Sequence, residues 1–143
     1  GRSCRGPRAG TCRPLGVGVI LDTNAVSALF AGDRALADIL AGENRHHLPI
    51  IAIGEYRYGL MRSRDRGRLS RLLDLLVAES FVLPIVEETA EHYAHVREGL
   101  RRAARPLPEN DVWIAALARQ HDLPIVTRDD HFDAVGEVRC IGW

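Results

Sequence analysis

Five short apolar runs punctuate the chain: VGVIL (17–21), LPII (48–51), FVLPI (81–85), PIVT (124–127) and VRCI (138–141). None shows the polar alternation of a strand with one wet face, so each is expected to be a strand buried on both sides. The intervals between them carry helical spacing. Leu69, Leu72, Leu73 and Leu76 recur at i, i+3, i+4 and i+7, and Tyr93, Val96, Leu100 and Ala104 carry a similar stripe through 89–105, the pattern of amphipathic helices. VWIAALA (112–118) is apolar on nearly every face, which suits a helix packed between the sheet and other helices. Strands alternating with helices imply a three-layer α/β sandwich around a mainly parallel sheet of about five strands, with right-handed crossovers.

The 143 residues fit one domain, and a 46% hydrophobic fraction supplies its core. Residues 1–18 stand apart: GRSCRGPRAGTCRPLGVG holds Gly, Pro and four Arg and no acid. Such a composition buries too little to offset its ordering entropy, so a disordered or non-native tail is expected before a domain over 19–143. Without that tail the 19 acids outnumber 15 arginines. There is no lysine, which excludes Schiff-base chemistry, the phosphate-loop Lys and receiver-type phosphoryl acceptors. Cys4, Cys12 and Cys140 form no C-x-x-C pair, so a zinc knuckle is excluded and a reducing compartment is expected. No apolar run approaches the roughly 18 residues of a membrane span; the expectation is a soluble, cytoplasmic protein with no membrane partner.

In an open parallel sheet, ligands bind beyond the carboxyl ends of the strands. The polar residues there are nearly all acidic. Asp22 ends the first run, Glu55 lies four residues past the second, and Asp129 and Asp130 follow the fourth. Asp111 falls in the first turn of the 112–118 helix, behind Pro108 and an expected N-cap at Asn110. Carboxylates brought together repel and take up protons unless a cation neutralises them. No Cys or His belongs to this set, so oxygen-preferring Mg²⁺, or Mn²⁺, is expected rather than Zn²⁺. Divalent metals can both activate a water and stabilise the charge of phosphodiester hydrolysis, and need no Ser/His/Asp set.

Four blocks, VILDTNAVSAL (19–29), IGEYRYGL (53–60), ENDVWIAALA (109–118) and IVTRDDHF (125–132), resemble the PIN-domain ribonucleases, and among them the VapC-type toxins of bacterial toxin–antitoxin pairs. The resemblance covers residues 17 to 143. It implies a metal-dependent endoribonuclease with Asp22, Glu55, Asp111 and Asp129 as its acidic set, Thr127 matching the polar residue before the last acid. Asp22 is then expected to anchor the principal metal, Glu55 and Asp111 to bind it directly or through water, and Asp129 to shape a second site or orient the water. It also implies a small antitoxin, a two-fold homodimer and an RNA substrate. Thr127, Arg62, Arg64 and Arg66 are candidate RNA contacts.

Other features have plainer readings. Glu88, His92 and His95 share a helix face as a solvated surface rather than a metal site, and His46 and His47 lie in a turn before a strand. Tyr56 and Tyr58 are candidates for base stacking, Trp113 for the core. Haloacid-type phosphatases need an acid where Asn24 stands, and a lysine. The rival functions are a housekeeping RNA-processing nuclease of the same fold and a non-catalytic RNA-binding module, the latter disfavoured because four mutually repelling acids would have no use in it.

Overall fold

In the computed structural model, which describes residues 18–143, the chain alternates strands and helices around one sheet. The strands are β1 (Val19–Leu21), β2 (His46–Pro49), β3 (Phe81–Leu83), β4 (Ile125–Val126) and β5 (Cys140–Ile141). The helices are α1 (Thr23–Phe30), α2 (Arg34–Ala41), α3 (Ile50–Leu60), α4 (Arg66–Ala78), α5 (Glu87–Ala103) and α6 (Glu109–His121), with a 3₁₀ helix at Asp130–Ala134. All pairings are parallel and the order is β3-β2-β1-β4-β5. The expected tail over 1–18 lies outside the described residues except for Gly18.

Both faces of the sheet centre are dry, which is why the apolar runs lack alternation. Val19, Leu21, Val126 and Ile141 pack with α1–α4, whereas their neighbours Ile20, Ile125 and Cys140 pack with α5, α6 and Phe132. Gly18 enters β1 at φ +86°, and a Cβ there would sit 2.3 Å from the Arg45 carbonyl oxygen. Glycine alone fits, because it lacks the atom that would clash.

The structure corrects four local readings. LPII is not one strand: Pro49, at φ −60° and ψ 138°, is the N-cap of α3, so Ile50 and Ile51 open that helix. Proline suits this boundary because its φ is already set. In exchange β2 begins at His46, whose Nε2 lies 3.0 Å from the Leu40 carbonyl oxygen, while His47 Nδ1 lies 3.3 Å from that of Val19. β3 is an edge strand and only Leu83 is buried; Phe81 is 52% exposed and stacks on His47. Finally, α6 starts earlier than Asn110, with Pro108 as N-cap and its carbonyl accepting from Val112 N.

Candidate metal centre

The strand order reverses between β1 and β4. β2 and β3 lie to one side of β1, β4 and β5 to the other, and such a switch point leaves a crevice at the carboxyl ends. Asp22 leaves β1 into this crevice, with Thr127 and Asp129 following β4 beside it. The four expected acids, Asp22, Glu55, Asp111 and Asp129, line one cavity of about 410 Å³, together with Thr23, Asn24 and His131. Four separate elements therefore deliver these four carboxylates, and α6 adds Glu109 to the lining, its carboxylate paired with Arg97.

Asp22 is 3% exposed. One carboxylate oxygen accepts from Ala25 N at 2.8 Å, which makes Asp22 the N-cap of α1; the other accepts from the Thr127 hydroxyl. Asp22 therefore both caps α1 and stands among the acids of the cleft. Burial pushes its carboxyl from 3.8 up to about 6; the bonds from Thr127 and Ala25 oppose the rise and the charges of Asp111 and Asp129 add to it. Asp111, in the first turn of α6, is also raised, by burial first and then by the charges of Asp129 and Glu55, with His131 acting against them. Glu55 accepts a 2.9 Å hydrogen bond from the Thr23 hydroxyl. Asp129 accepts from His131 N at 2.9 Å, and its own N–H donates to Thr127 Oγ1 at 3.0 Å.

His131 is the residue that sequence reasoning missed. Its Nδ1 lies 3.1 Å from Asp129 Oδ2 and 3.6 Å from Asp111 Oδ2, and one ligand atom from each of the three falls within 4.8 Å of the others. The set is therefore carboxylates with one imidazole nitrogen, not carboxylates alone. The signal was the phenylalanine after it: Phe132 is fully buried, which clamps the 3₁₀ helix onto the core and leaves His131 turned to the cleft. Asp130, by contrast, is exposed in the first turn of that helix and does not line the cavity.

Thr127 has no exposed surface. It stands behind the carboxylates, bridging Asp22 and Asp129, rather than on an RNA-facing surface. Arg62, Arg64 and Arg66 lie in the exposed turn after α3 and at the start of α4, outside the cavity. Arg62 donates to the Tyr58 hydroxyl at 3.0 Å. Tyr56 is buried edge-on to Phe30, Tyr58 is 62% exposed, and Trp113 stacks on Tyr93. His92 contacts Arg119 at 2.7 Å and Glu88 at 3.7 Å, a surface network apart from the cleft.

Among the described residues neither Asp22 nor Glu55 faces a cationic side chain. Carboxylates such as these two, lacking a cationic side chain, fit a hard divalent cation, and the imidazole beside Asp111 and Asp129 is compatible with one.

Residues 19–138 match the family described as PIN domain. The chain is 33% identical over 118 residues to ribonuclease VapC5 of Mycobacterium tuberculosis, covering 81% of this chain and 86% of that one. Among solved structures, VapBC-5 of Mycobacterium tuberculosis, described as a member of the VapBC family of toxin–antitoxin systems, superposes with a TM-score of 0.71 at 28% identity over 87% of this chain and 98% of that one. VapBC-1 of nontypeable Haemophilus influenzae superposes with a TM-score of 0.77 at 25% identity, over 87% and 97%.

Proposed function

As a member of the PIN-domain family, in its VapC-type ribonuclease branch, the chain is an RNA-hydrolysing nuclease, and we propose that it is a Mg²⁺-dependent endoribonuclease acting as the toxin of a toxin–antitoxin pair. The observation that carries the reading is the convergence of Asp22, Glu55, Asp111 and Asp129 on one cavity at the switch point.

These four residues, with the His131 imidazole beside Asp111 and Asp129, would hold Mg²⁺, or Mn²⁺ in its place. When bound, such a cation supplies a water of lowered pKa and offsets the charge that gathers on the phosphate. The rest is the work of the protein. Thr127 and Ala25 N fix both oxygens of Asp22 before any substrate arrives, so its placement needs no reorganisation during the reaction. Thr23 does the same for one oxygen of Glu55. His131, beside Asp111 and Asp129, is placed to hydrogen-bond a water or phosphate oxygen entering the cleft.

A nuclease of this kind must be silenced in its own cell. The reading supplies a small antitoxin that lays a segment across the cleft, with an arginine on the carboxylates in place of metal. It also includes a two-fold homodimer and a cytoplasmic location. No helix among the described residues is long and apolar enough to cross a membrane.

The test is direct. Purified protein is incubated with RNA and Mg²⁺ or Mn²⁺, with and without chelator, and is expressed alone or with any small protein encoded beside it. Metal-dependent cleavage, growth arrest and rescue with complex formation are expected. Cleavage without growth arrest would favour the RNA-processing enzyme, and inactivity in both assays the binding module.

A further inference from the structure

A second cavity, of about 450 Å³, adjoins the acid cleft and shares Asn24 and Asp129 with it. One wall is the face of α1 that carries Ser27 and Ala28, with Ala31 at its C-terminal end; the opposite wall is Arg128 and Trp143. The acids do not account for this wall, and it is built from three distant stretches of chain. Arg128 Nη2 donates to Asp33 Oδ2 at 2.6 Å, 95 residues away in sequence, and the guanidinium carbon lies 4.8 Å from the centre of the Trp143 ring. Trp143 Nε1 donates to the same Asp33 oxygen at 3.1 Å. The other oxygen of Asp33 caps α2 by accepting from Leu36 N at 3.0 Å.

The guanidinium is thus fixed in direction and place. Of its donors one nitrogen serves Asp33, and the others make no hydrogen bond among the described residues, although an arginine has five N–H groups in a planar fork. A pre-ordered cation loses little freedom when an anion arrives. Its position also matters. Arg128 lies in the chain between Thr127, which holds Asp22, and Asp129, which lines the cleft, and it is 56% exposed. A polyanion crossing a cleft of carboxylates meets repulsion at each phosphate except where a fixed cation offsets it.

We propose that this cavity is a subsite for the nucleotide adjoining the cleaved bond of a single-stranded RNA. Arg128 takes its flanking phosphate in charge-assisted hydrogen bonds. The small side chains of Ala28 and Ala31 leave room for the base, and the Asn24 amide, with both donor and acceptor at the shared rim, meets its edge. The proposal rests on the ribonuclease reading and adds to it the residues that position the strand. A purely structural role for the Asp33–Arg128–Trp143 group, pinning the segment after β5 to α2, is the alternative.

The experiment compares wild type, Arg128→Gln and Ala28→Trp on short single-stranded RNAs with Mg²⁺, from a dinucleotide upward, at several salt concentrations. Arg128→Gln is expected to raise KM about tenfold on the longer RNAs, as for the loss of one charge-assisted contact, with kcat within about twofold. The slope of log affinity against log salt should shrink by about 0.7, as for one single-strand phosphate. The dinucleotide, which lacks the flanking phosphate, should be cleaved alike by wild type and Arg128→Gln. Ala28→Trp, filling the cavity without changing charge, should raise KM on the longer RNAs and leave the salt slope unchanged. Unchanged KM and salt slope in Arg128→Gln, or an equal loss on the dinucleotide, would overturn the subsite. Absence of cleavage by the wild type would count against the nuclease reading instead, and fluorescence anisotropy of labelled RNA on the same variants would then decide the subsite by its affinity and salt slope.

Discussion

Replacing Asp22 by Asn isolates the cost of gathering acids in a buried crevice. The carboxyl ionises near 3.8 in the unfolded chain and at about 6 in the folded one. A raised folded value means that the stability supplied by this group is fully present below the unfolded value and is lost as the pH climbs through about 6. The difference corresponds to a penalty of about 3 kcal/mol once Asp22 is charged. Asn has nearly the same shape and cannot ionise. It keeps an acceptor for Ala25 N, and its amide can donate to Thr127 Oγ1, whose charge-assisted bond to the carboxylate is lost at a cost of about 1 kcal/mol.

Whatever that offset, the stability of Asp22→Asn relative to wild type should rise by about 2.4 kcal/mol between pH 4 and pH 8, the remainder of the penalty falling below pH 4. For a domain of this size the relative melting temperature should move by roughly 10 °C. Urea or thermal unfolding followed by circular dichroism in chelator measures this. Adding Mg²⁺ should then stabilise the wild type, by about 2.7 kcal/mol at a hundred times its dissociation constant, and leave Asp22→Asn nearly unmoved while its RNA cleavage is abolished. A stability difference that stays flat across this pH range, or a variant weaker than wild type at pH 8, would show that Asp22 is not held against its own charge.

Thr127→Val, which removes the Asp22 donor and the acceptor of Asp129 N in a fully buried place, should destabilise the fold by about 1–3 kcal/mol and lower cleavage; Thr127→Ser should restore both, as unfolding curves and a cleavage assay would show. His131→Ala is expected to weaken Mn²⁺ binding at least tenfold by calorimetry, as for a lost ligand or its partner, and Mg²⁺ binding less, because a nitrogen donor contributes less to Mg²⁺. A chain beginning at Val17 should melt and cleave RNA like the full chain, a result checked by the same two assays. Gly18→Ala should instead cost more than about 1 kcal/mol in an unfolding curve, since it combines a left-handed φ with a backbone clash.

What was legible in the sequence is what depends on short stretches. Asp22 could be found because a buried strand ending on an acid points it at the sheet edge, and Asp111 because a proline announced the helix whose first turn it occupies. The choice of Asp129 over Asp130 came from the family resemblance and not from the local pattern: adjacent acids after a strand look alike until the 3₁₀ helix turns one inward and the other to solvent. His131 was hidden for the same reason, its direction being set by the burial of Phe132. Apolar pattern also fails at a sheet margin. His46 and His47 belong to β2 through backbone pairing that no hydrophobic run records, and β3 carries the apolar residues of a buried strand while lying at an edge. The Asp33–Arg128–Trp143 group, joined across 95 and 110 positions, leaves no local trace at all.

The hydrogen bond from Thr127 to Asp22 spans 105 positions, and the strand that carries Thr127 to the site docks on the edge of β1 opposite β2. A chain emerging from the ribosome can pair β1, β2 and β3 while this second edge of β1 is still bare and Asp129 has not been made. At about 5–20 residues per second, the interval between residues 22 and 129 lasts about 5–20 s. Throughout that time the growing polypeptide has no complete cleft. The order of strands in space is therefore also a clock: the carboxylates that share the cleft can meet only once β4 has been made and is free to dock on β1.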